Sequence, residues 1–347
     1  MIGISIEHED AECVARRGEA VFRALHGSRI LLTGGTGFVG TWLLRTLLVA
    51  REMFGVNVEV IVLTRDPDAF MRRHPGLAVS PAVVLLQGDV RRPIEVAGRL
   101  DLIVHAASEM DTTTSGPPPS QFFDVILGGT LSVVECARRS GARVCFVSSG
   151  AVYGNDAFAA DRNADEESTI APLTTRPQAA YANAKRAAEA YLCAVSANDG
   201  PDVVIGRLFS FLGPGQELGS RFVIASMLHD ALQGGPVVVK SDGTLVRSFM
   251  YAADMALWLW TIAVRGQRGV AYNVGSEEAF SVADIARIVA AAVGDVSVSI
   301  AKSAPRPETG LRYVPSTLRA RRELELPQLE PLRNSVARTV RWARSVL

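Results

Sequence analysis

Three glycines at every third position interrupt an apolar run near the start of the chain. Residues 29–40 are RILLTGGTGFVG, with Gly34, Gly37 and Gly40 after the apolar residues. The apolar residues have the character of a buried parallel strand, and residues 41–48 repeat apolar positions at helical spacing. The glycines therefore lie on a strand-to-helix turn, which is the geometry of a dinucleotide-binding fingerprint.

Each glycine has a physical purpose in such a turn. Without a Cβ, Gly34 and Gly37 let the backbone turn tightly and approach a pyrophosphate, while Gly40 lets the helix pack on the strand. The free N–H groups at the helix start attract the anion. The spacing is one residue off the standard fingerprint, so a plain tight turn stays open as an alternative. The expected cofactor contacts here are Gly34, Thr36, Gly37, Phe38, Val39 and Gly40.

Composition indicates a globular protein without a bias toward polyanions. The chain has 347 residues, of which 48% are hydrophobic, enough for one large or two modest domains. Its 36 basic and 36 acidic residues cancel, so no overall field draws it to nucleic acid or to an anionic membrane. The start of the chain has no basic-then-apolar run, and no apolar stretch reaches about 18 residues. We therefore expect a cytoplasmic protein.

The four cysteines lack the spacing of metal ligands. They stand at positions 13, 136, 145 and 193, and three of them fall in apolar periodic segments. We interpret them as buried thiols in a reducing cytosol and expect no bound metal.

Short apolar runs alternate with helical segments up to about residue 208. The runs are 56–63, 83–86, 102–104, 144–147 and 203–205. Continuous apolar strands that alternate with helices predict an α/β fold with a Rossmann-type, doubly wound parallel sheet. Ligands of such a sheet lie at the C-terminal ends of its strands.

The same patterns predict how the chain divides. An amphipathic helix is expected over residues 8–26, closed by Gly27, and two long unbroken helices over about 120–140, after the extended loop at 116–119, and 181–197. From Gly213 onward the alternation is lost, which indicates a smaller C-terminal substrate-binding domain. The predicted units are an N-terminal helical extension (1–27), a Rossmann domain (28–208 and 246–275) and a substrate-binding domain (209–245 and 276–347).

Tyr181 and Lys185 lie four residues apart, so one helical turn places a phenol and an ammonium on the same face. A phenol with a pKa of about 10 is a poor base at neutral pH, and lowering that pKa to about 7 takes about 4 kcal/mol. A lysine about 4.5 Å away supplies a similar energy at an effective dielectric of about 20. Alone, the pair also fits an exposed helix face. Behind a glycine-rich Rossmann turn, it indicates an acid/base pair.

Ser149 follows the fifth apolar run, at the edge of the sheet where ligands bind. A hydroxyl at this edge can hydrogen-bond a substrate alcohol or ketone. Loop serines more often satisfy the backbone, so Ser149 gains its interest from the glycine turn and from Tyr181.

Together these three features resemble the extended short-chain dehydrogenase/reductase family, the NAD(P)-dependent nucleotide-sugar epimerases and dehydratases. The resemblance covers nearly the whole chain from Arg29. Gly88-Asp89-Val90 resembles the segment whose aspartate meets adenine, and His105-Ala106-Ala107 resembles the strand end that lies under the cofactor. Residues 247–254 resemble the stretch whose arginine holds the diphosphate of the sugar nucleotide, and residues 271–275 the return into the sheet.

The resemblance implies a role for each site residue. Tyr181 would exchange a proton with a sugar hydroxyl, Ser149 would orient and polarise the same oxygen, and Lys185 would hold the nicotinamide ribose and lower the Tyr181 pKa. The further implied contacts are Asp89, Val90, Ala106, Ala107, Tyr181 and Lys185 for the cofactor, and Ser149, Tyr181, Phe209, Ser210 and Arg247 for a nucleotide-diphosphate sugar. The two long helices resemble those that pair into a four-helix homodimer interface.

The sequence departs from the family pattern at three places, which bear on the reaction type and on the substrate contacts. Gly150 and Ala151 stand where dehydratase members carry an Asp-Glu pair to eliminate water, which argues against a 4,6-dehydratase. Ile126 stands where the family helix usually carries a supporting asparagine, and Ser210 where an asparagine would contact substrate.

The leading hypothesis is an epimerase that acts through a transient keto-sugar and returns the hydride. A net reductase of a nucleotide-linked keto-sugar uses the same three residues and stays open. A reductase of a non-sugar carbonyl and a non-catalytic nucleotide sensor are further alternatives. Sequence does not distinguish epimerase from reductase, because the difference is how the keto intermediate turns in its pocket.

Cofactor choice depends on the end of the second apolar run. An NAD enzyme usually places a carboxylate there to bind the adenosine ribose, whereas an NADP enzyme needs a cation. Thr64 stands where the acid is expected, Arg65 follows, and Asp66 before Pro67 is better placed to cap the next helix. A guanidinium can fork onto a 2′-phosphate, so NADP is favoured over NAD. The alternative is a solvated Arg65 and an Asp66 that swings back to bind NAD.

Overall fold

The computed structural model describes residues 5–108, 118–154, 162–168, 171–220, 222–294, 296–301, 312–326 and 329–346. Its strands are β1 (Arg29–Thr33), β2 (Glu59–Thr64), β3 (Val83–Gln87), β4 (Leu102–His105), β5 (Arg143–Ser149), β6 (Val203–Leu208), β7 (Phe211–Leu212), β8 (Val237–Val239), β9 (Val246–Arg247), β10 (Met250–Tyr251), β11 (Ala271–Val274), β12 (Phe280–Ser281), β13 (Val298–Ile300) and β14 (Arg312–Tyr313).

Its α-helices are α1 (Ile6–Arg17), α2 (Glu19–Arg23), α3 (Phe38–Phe54), α4 (Pro67–Arg73), α5 (Pro75–Ala78), α6 (Pro119–Phe122), α7 (Gly128–Ser140), α8 (Ala180–Ala197), α9 (Val223–Leu232), α10 (Ala252–Arg265), α11 (Val282–Val293), α12 (Leu318–Leu324) and α13 (Leu332–Val346). A π-helical turn, Phe123–Leu127, joins α6 to α7.

Seven parallel strands form the central sheet in the order β3-β2-β1-β4-β5-β6-β11. Strand order reverses between β1 and β4, and such a switch point opens a crevice at the C-terminal strand ends. The predicted doubly wound parallel sheet is therefore confirmed. The chain re-enters it as β11, where Ala271 pairs with Ile205 of β6, in agreement with the expected return.

Both faces of the sheet are covered, which explains why its inner strands are continuously apolar. All four residues of β4 are buried. One face packs against α3, α10 and the two N-terminal helices, and the other against α7 and α8. A separate apolar cluster is built from α9, α11 and α13 with β8. The exact limits of the predicted domains stay a prediction.

The N-terminal segment differs from the single helix predicted over residues 8–26. It forms α1 and α2, which meet at Gly18. A Cβ on Gly18 would lie 2.4 Å from Leu257 Cδ1, so the chain bends where it presses closely on α10. The pattern of apolar residues continues across the bend, which is why it predicted one helix.

The helix predicted over about 120–140 is interrupted by the π-helical turn at Phe123–Leu127. Such turns insert a residue and frequently occur at functional sites. Here the turn lies beside Phe122, whose ring meets Tyr181 edge-on with centroids 5.6 Å apart. The Thr130 hydroxyl donates to the Ile126 carbonyl at 2.6 Å, which satisfies one of the displaced acceptors. Residues 116 and 117 of the predicted extended loop lie outside the described residues.

The cysteine prediction was wrong in part. Cys136 and Cys145 are buried, but Cys193 is only partly buried and Cys13 is exposed, because it lies on the solvent side of α1. Within the described ranges, no group of three or more His, Cys, Asp or Glu side chains is arranged to hold a metal ion.

Candidate active site

The glycine turn between β1 and α3 forms a cradle that fits a dinucleotide. Gly34 has a φ of +70°, and a Cβ there would lie 2.6 Å from the Ala106 carbonyl and the Ala107 nitrogen. A Cβ on Gly40 would lie 2.2 Å from the Gly34 oxygen. The turn is thus closed against the end of β4, and α3 begins at Phe38 with its N–H groups directed at the crevice.

A buried polar cluster holds the end of β4 in place. His105 Nδ1 lies 2.7 Å from the Thr33 hydroxyl, and His105 Nε2 lies 3.3 Å from the Thr130 hydroxyl. Burial, and then the charge of Lys185, lower the pKa of His105 to about 3, so this ring is neutral. The Ala107 nitrogen donates to the Thr33 hydroxyl at 3.3 Å. Ala106 and Ala107 are therefore fixed beside the glycine turn. Their contact with a cofactor stays a prediction.

The end of β2 is arranged as the sequence indicated. Asp66 caps α4, since its carboxylate accepts a hydrogen bond from the Ala69 nitrogen at 2.9 Å. Thr64 is buried and Arg65 is exposed. Hydrogen bonds from the Arg91 side chain, and to a smaller extent the charges of Arg91 and Arg65, lower the pKa of Asp89 to about 2. The two sequence-predicted residues Arg65 and Asp89 are therefore near each other.

A cleft of about 1490 Å³ runs from the glycine turn to the C-terminal strand ends. Ser149, Tyr181 and Lys185 line it together with Phe209, Ser210 and Arg247. The cofactor-side residues Gly34, Thr36, Gly37, Phe38, Val39, Gly40 and Ala106 line the same cleft. Most sequence-predicted site residues thus share one space. Arg65, Asp89, Val90 and Ala107 are not among its lining residues.

The Tyr181 phenol faces two serine hydroxyls. Burial raises the pKa of Tyr181, and a hydrogen bond with Ser149 offsets part of that rise, with a smaller contribution from Ser108. The Ser108 Oγ atom makes no hydrogen bond of normal geometry, although it is buried. Ser149 ends β5, and its Oγ also accepts from the Ala151 nitrogen at 3.2 Å. It therefore serves both the backbone and the site.

The expected pairing of Lys185 with Tyr181 is not seen, and this is a correction. Lys185 Nζ donates to the Val147 carbonyl at 2.7 Å and lies 4.8 Å from the centre of the Phe146 ring. Burial lowers the pKa of Lys185 to about 7, and Glu189 opposes that change. Helical spacing predicted both side chains on one face of α8, but the hydrogen bond of the Lys185 ammonium goes to a carbonyl of β5. The predicted lowering of the Tyr181 pKa by Lys185 is absent here.

A buried ionic network lies beside the end of β5. Ser148 donates to Glu189 at 2.5 Å, and Arg207 holds the same carboxylate with Nη2–Oε2 at 2.7 Å. Arg207 also donates to the Tyr153 hydroxyl at 2.9 Å, which in turn donates to Asn273 at 2.7 Å. Sequence analysis missed Glu189, although it lies one helical turn beyond Lys185 and the spacing was readable.

The second wall of the cleft carries Phe209, Ser210 and Arg247. Arg247 Nη1 donates to the Val246 carbonyl at 3.0 Å, and its guanidinium lies 5.8 Å from the centre of the Tyr313 ring. Tyr313 is the site residue that sequence analysis missed most clearly. It enters because β14 pairs with β9, which sets Tyr313 beside Arg247. A strand of two residues, such as β14, is too short to give a periodic pattern in the sequence from which it could be predicted.

A parallel sheet with a glycine turn at its switch point, and a tyrosine and serine at the strand ends, defines a dinucleotide-binding protein of the Rossmann class. The chain belongs to the NAD dependent epimerase/dehydratase family, whose sequence pattern matches residues 30–275. The expected membership of the extended short-chain dehydrogenase/reductase family is thereby confirmed.

Relatives and solved structures agree with this membership. The chain is 28% identical over 278 residues to UDP-glucuronic acid decarboxylase 6 of Arabidopsis thaliana, covering 80% of this chain and 78% of that one. It is 27% identical over 323 residues to UDP-glucuronic acid decarboxylase 1 of Xenopus tropicalis, covering 92% and 73%. A Streptomyces venezuelae dTDP-glucose 4,6-dehydratase, solved as a double mutant with NAD bound, matches with a TM-score of 0.75 and 27% identity over 91% of this chain and 97% of that one.

A Methanothermobacter thermautotrophicus epimerase has the same fold, with a TM-score of 0.77 and 24% identity over 94% of this chain and 95% of that one. In the described part of the chain, no helix has the length and apolar character needed to cross a membrane.

Proposed function

We propose that the protein is an NAD(P)-dependent nucleotide-sugar epimerase that acts through a transient keto-sugar. The observation that carries this proposal is the set of side chains that line the cleft around Tyr181. Tyr181, Ser149, Ser108, Ser210 and Tyr313 supply hydroxyls to the cleft, whereas its lining carboxylates, Glu7, Glu52 and Glu217, come from segments other than β5 and α8, which carry Ser149 and Tyr181. Elimination of water from a sugar needs an acid and a base beyond the oxidation step, and position 151 supplies only the methyl group of Ala151.

The proposed proton chemistry uses Tyr181 and Ser149. Ser149 holds the oxygen of the reacting sugar carbon, and Tyr181 accepts its proton on oxidation and returns it on reduction. Bound nicotinamide supplies the hydride acceptor and donor for this cycle. Lys185 lies one helical turn from Tyr181, where its amine is available to ribose hydroxyls once it leaves the Val147 carbonyl. The same groups work in both directions, as a redox-neutral isomerisation requires.

Arg247 is the proposed contact for the diphosphate. It lines the cleft on the wall opposite the glycine turn, and its guanidinium is fixed against the Tyr313 ring. A planar guanidinium suits phosphate oxygens because it can donate two parallel hydrogen bonds. Phe209 and Ser210 lie next to it and are the proposed contacts of the sugar.

NADP is the proposed cofactor in preference to NAD. Arg65 is exposed at the end of β2, while the neighbouring carboxylate of Asp66 is committed to the cap of α4. The carboxylate that would accept the ribose hydroxyls of NAD is therefore engaged elsewhere. Beside the larger effect of Arg91, the charge of Arg65 contributes to the lowered pKa of Asp89. This supports a position of Arg65 near Asp89, which is the proposed contact of the adenine.

The second candidate is an NADPH-dependent reductase of a nucleotide-linked keto-sugar. The observation that favours it is the same cation at the end of β2, because cellular NADPH supplies net reductions. Its catalytic residues would be unchanged. A carbonyl reductase without a sugar nucleotide would leave Arg247 without a phosphate, and a sensor would not need the hydroxyl of Tyr181.

Product analysis of a panel of nucleotide sugars tests the proposal. The purified protein is incubated with NAD or NADP and each sugar, and products are separated by chromatography and weighed by mass spectrometry. We expect a new isomer of unchanged mass. Loss of carbon dioxide or of water would instead assign the activity named for the decarboxylase or dehydratase relatives, and a gain of hydrogen with NADPH would assign the reductase. Tyr181→Phe is the control for a contaminating activity.

A further inference from the structure

We propose that Tyr313 is a positioning residue of the catalytic site, which holds the Ser149 hydroxyl so that its proton is directed at Tyr181, and that Gly150 is required to leave it room. This inference rests on the proposed function in one respect, since it takes Tyr181 as the acid/base group. It adds a second phenol that acts through Ser149.

The first observation is the close fit between Tyr313 and position 150. A Cβ on Gly150 would lie 2.6 Å from the Tyr313 hydroxyl and 2.8 Å from two ring carbons of Phe209. Carbon atoms do not approach an oxygen that closely without displacement. A side chain at position 150 would therefore require the Tyr313 hydroxyl and the Phe209 ring to shift from these positions.

The second observation is that two side-chain contacts and one strand pairing fix the position of Tyr313. Its ring centroid lies 4.9 Å from that of Phe209, and the Arg247 guanidinium lies 5.8 Å from it. The parallel pairing of β14 with β9 fixes the backbone of Tyr313 beside Arg247. The hydroxyl is thus placed by contacts that do not involve Ser149, which is what a positioning residue requires.

The hydrogen-bonding capacity of a serine hydroxyl gives the direction of the proton. Ser149 Oγ has two acceptor sites and one proton. The Ala151 nitrogen donates to one acceptor site at 3.2 Å. The Tyr313 hydroxyl lies beside the backbone that follows Ser149, since a Cβ on Gly150 would be 2.6 Å from it. Interaction with the Ser149 hydroxyl lowers the pKa of both Tyr313 and Tyr181, in each case against the larger effect of burial. If Tyr313 donates to the second acceptor site, the Ser149 proton is left for the Tyr181 oxygen.

The electrostatics agree with Tyr313 as the donor. Burial raises the pKa of Tyr313, and the nearby Tyr181 raises it further, while Ser149 and Arg247 offset part of that rise. The net direction is upward, so the Tyr313 phenol keeps its proton when Tyr181 ionises. Arg247 and Tyr153 are the other groups that face Tyr313. Lys185 lies one turn from Tyr181 and is itself faced by His105 and Glu189. The relay Tyr313 to Ser149 to Tyr181 therefore stabilises the phenolate of Tyr181.

The test is a pH titration of Tyr181 in the full chain. It is monitored by NMR of tyrosines labelled with ¹³C at Cζ. The chain has six tyrosines, and Tyr181→Phe identifies the signal of Tyr181 by its loss. Spectra are recorded against pH with and without NAD. In Tyr313→Phe, which keeps the ring and its contacts, we expect the proton affinity of Tyr181 to rise about tenfold. An unchanged titration midpoint overturns the proposal.

Two further variants guard against a general disturbance of the site. Gly150→Ala displaces the Tyr313 hydroxyl without removing it, so we expect the same direction of change, and no further change when it is combined with Tyr313→Phe. Additive changes would contradict the shared mechanism. Tyr153→Phe removes a hydroxyl whose hydrogen bonds are with Arg207 and Asn273, so it should lower Tm without moving the Tyr181 titration. An equal shift in Tyr153→Phe would also overturn the proposal.

The titration requires no substrate, so its result is separable from that of product analysis. A protein without epimerase activity in which Tyr313→Phe still raises the Tyr181 pKa would contradict the proposed function alone. An active epimerase whose Tyr181 titrates identically in both forms would contradict the present inference alone.

Discussion

Tyr181 is the residue on which the proposed chemistry depends, and its environment sets the sharpest prediction at the scale of single residues. Replacing Tyr181 by Phe removes the proton path but keeps the ring that packs on Phe122. We expect turnover to fall by about 10²-fold or more, in line with the loss of a general acid/base, while cofactor affinity stays nearly intact. Calorimetry with the cofactor and a product assay measure the two effects.

Tyr191→Phe is the matched control, since Tyr191 lies on the same helix and is partly buried. It should leave both quantities unchanged. Turnover of Tyr181→Phe within tenfold of the wild type would remove Tyr181 from the mechanism.

Lys185 sets a prediction about stability and pH. Its pKa is lowered from 10.5 to about 7 by burial, so between these pH values the unfolded chain holds a proton that the folded chain has lost. Stability therefore rises with pH across that range, and the penalty of the buried amine is largest at pH 7 and below. Lys185→Met should raise Tm by about 3 °C or more at pH 7, and the gain should shrink toward pH 10.

Lys240→Met, at an exposed lysine, is the control and should show no such pH dependence. Scanning calorimetry at the two pH values decides the matter. A Lys185→Met variant that loses stability equally at both would mean that the hydrogen bond to Val147 outweighs the desolvation of the amine.

Arg65 sets the prediction on cofactor choice. Because the Asp66 carboxylate is occupied by the cap of α4, Arg65→Ala should weaken NADP binding at least tenfold and leave NAD binding nearly unchanged. Arg72→Ala, an exposed arginine within α4, is the control. Fluorescence titration with both dinucleotides provides the comparison. Tighter binding of NAD than of NADP by the wild type would show that the end of β2 was misinterpreted.

Single residues were predictable where a local pattern fixes them. The glycine turn, Asp66 as a cap and the position of Ser149 follow from a few consecutive residues and the end of a strand. The contact of Lys185 with Val147 and the position of Tyr313 in the site were not predictable in this way. Both depend on elements that meet only in the folded chain. The direction of the Tyr181 pKa was missed for the same reason, since it depends on burial.

At the scale of elements, α1 lies outside the family pattern, which matches residues 30–275. Its Asp10 is buried and accepts hydrogen bonds from the Tyr251 hydroxyl and from Arg338 of α13. Arg17 at its other end pairs with the buried Asp254 at 2.6 Å. The helix is therefore joined by charged pairs to both α10 and α13.

Removing Asp10 should destabilise the protein considerably. Asp10→Ala leaves the Arg338 guanidinium and the Tyr251 hydroxyl without their buried partner, at a cost of about 2 to 3 kcal/mol, below the range for fully buried pairs because water reaches Arg338. Denaturant unfolding measures it.

Glu9→Ala is the matched control, because Glu9 contacts the same arginine at 3.5 Å from an exposed position. It should cost less than about 0.5 kcal/mol. Equal effects of the two substitutions would mean that burial of Asp10 is not what matters.

At the scale of the whole molecule, the sheet was the most predictable feature. Its strands are continuously apolar because both faces are covered, and that condition is visible in consecutive residues. The cluster of α9, α11 and α13 with β8 was expected only as a smaller domain, because its strands are short and pair across long stretches of chain. Such pairing leaves no periodic signal.

The remaining whole-molecule prediction is the homodimer. Phe123 and Leu131 are 38% and 45% exposed on the segment that runs from α6 to α7, one of the two long helices expected to pair. Burial of these side chains in a second copy would remove apolar surface from water. We expect light scattering to give a dimer at micromolar concentration and Leu131→Glu to give a monomer.

Val84→Glu, at a similarly exposed apolar residue on the edge strand β3, is the control and should remain dimeric. A wild-type monomer, or a dimer that only Val84→Glu disrupts, would contradict the predicted interface.

The central claim is that the site returns the hydride that it removes, and the most direct measurement is cofactor consumption during turnover. The sugar nucleotide that reacts in the panel is incubated with cofactor far below its own concentration, while proton NMR follows the sugar and absorbance follows reduced nicotinamide. The account predicts many turnovers per cofactor, an equilibrium mixture of two epimers and no net change in reduced cofactor. Product that stops at one equivalent of cofactor, or that requires NADPH in equal amount, would contradict it.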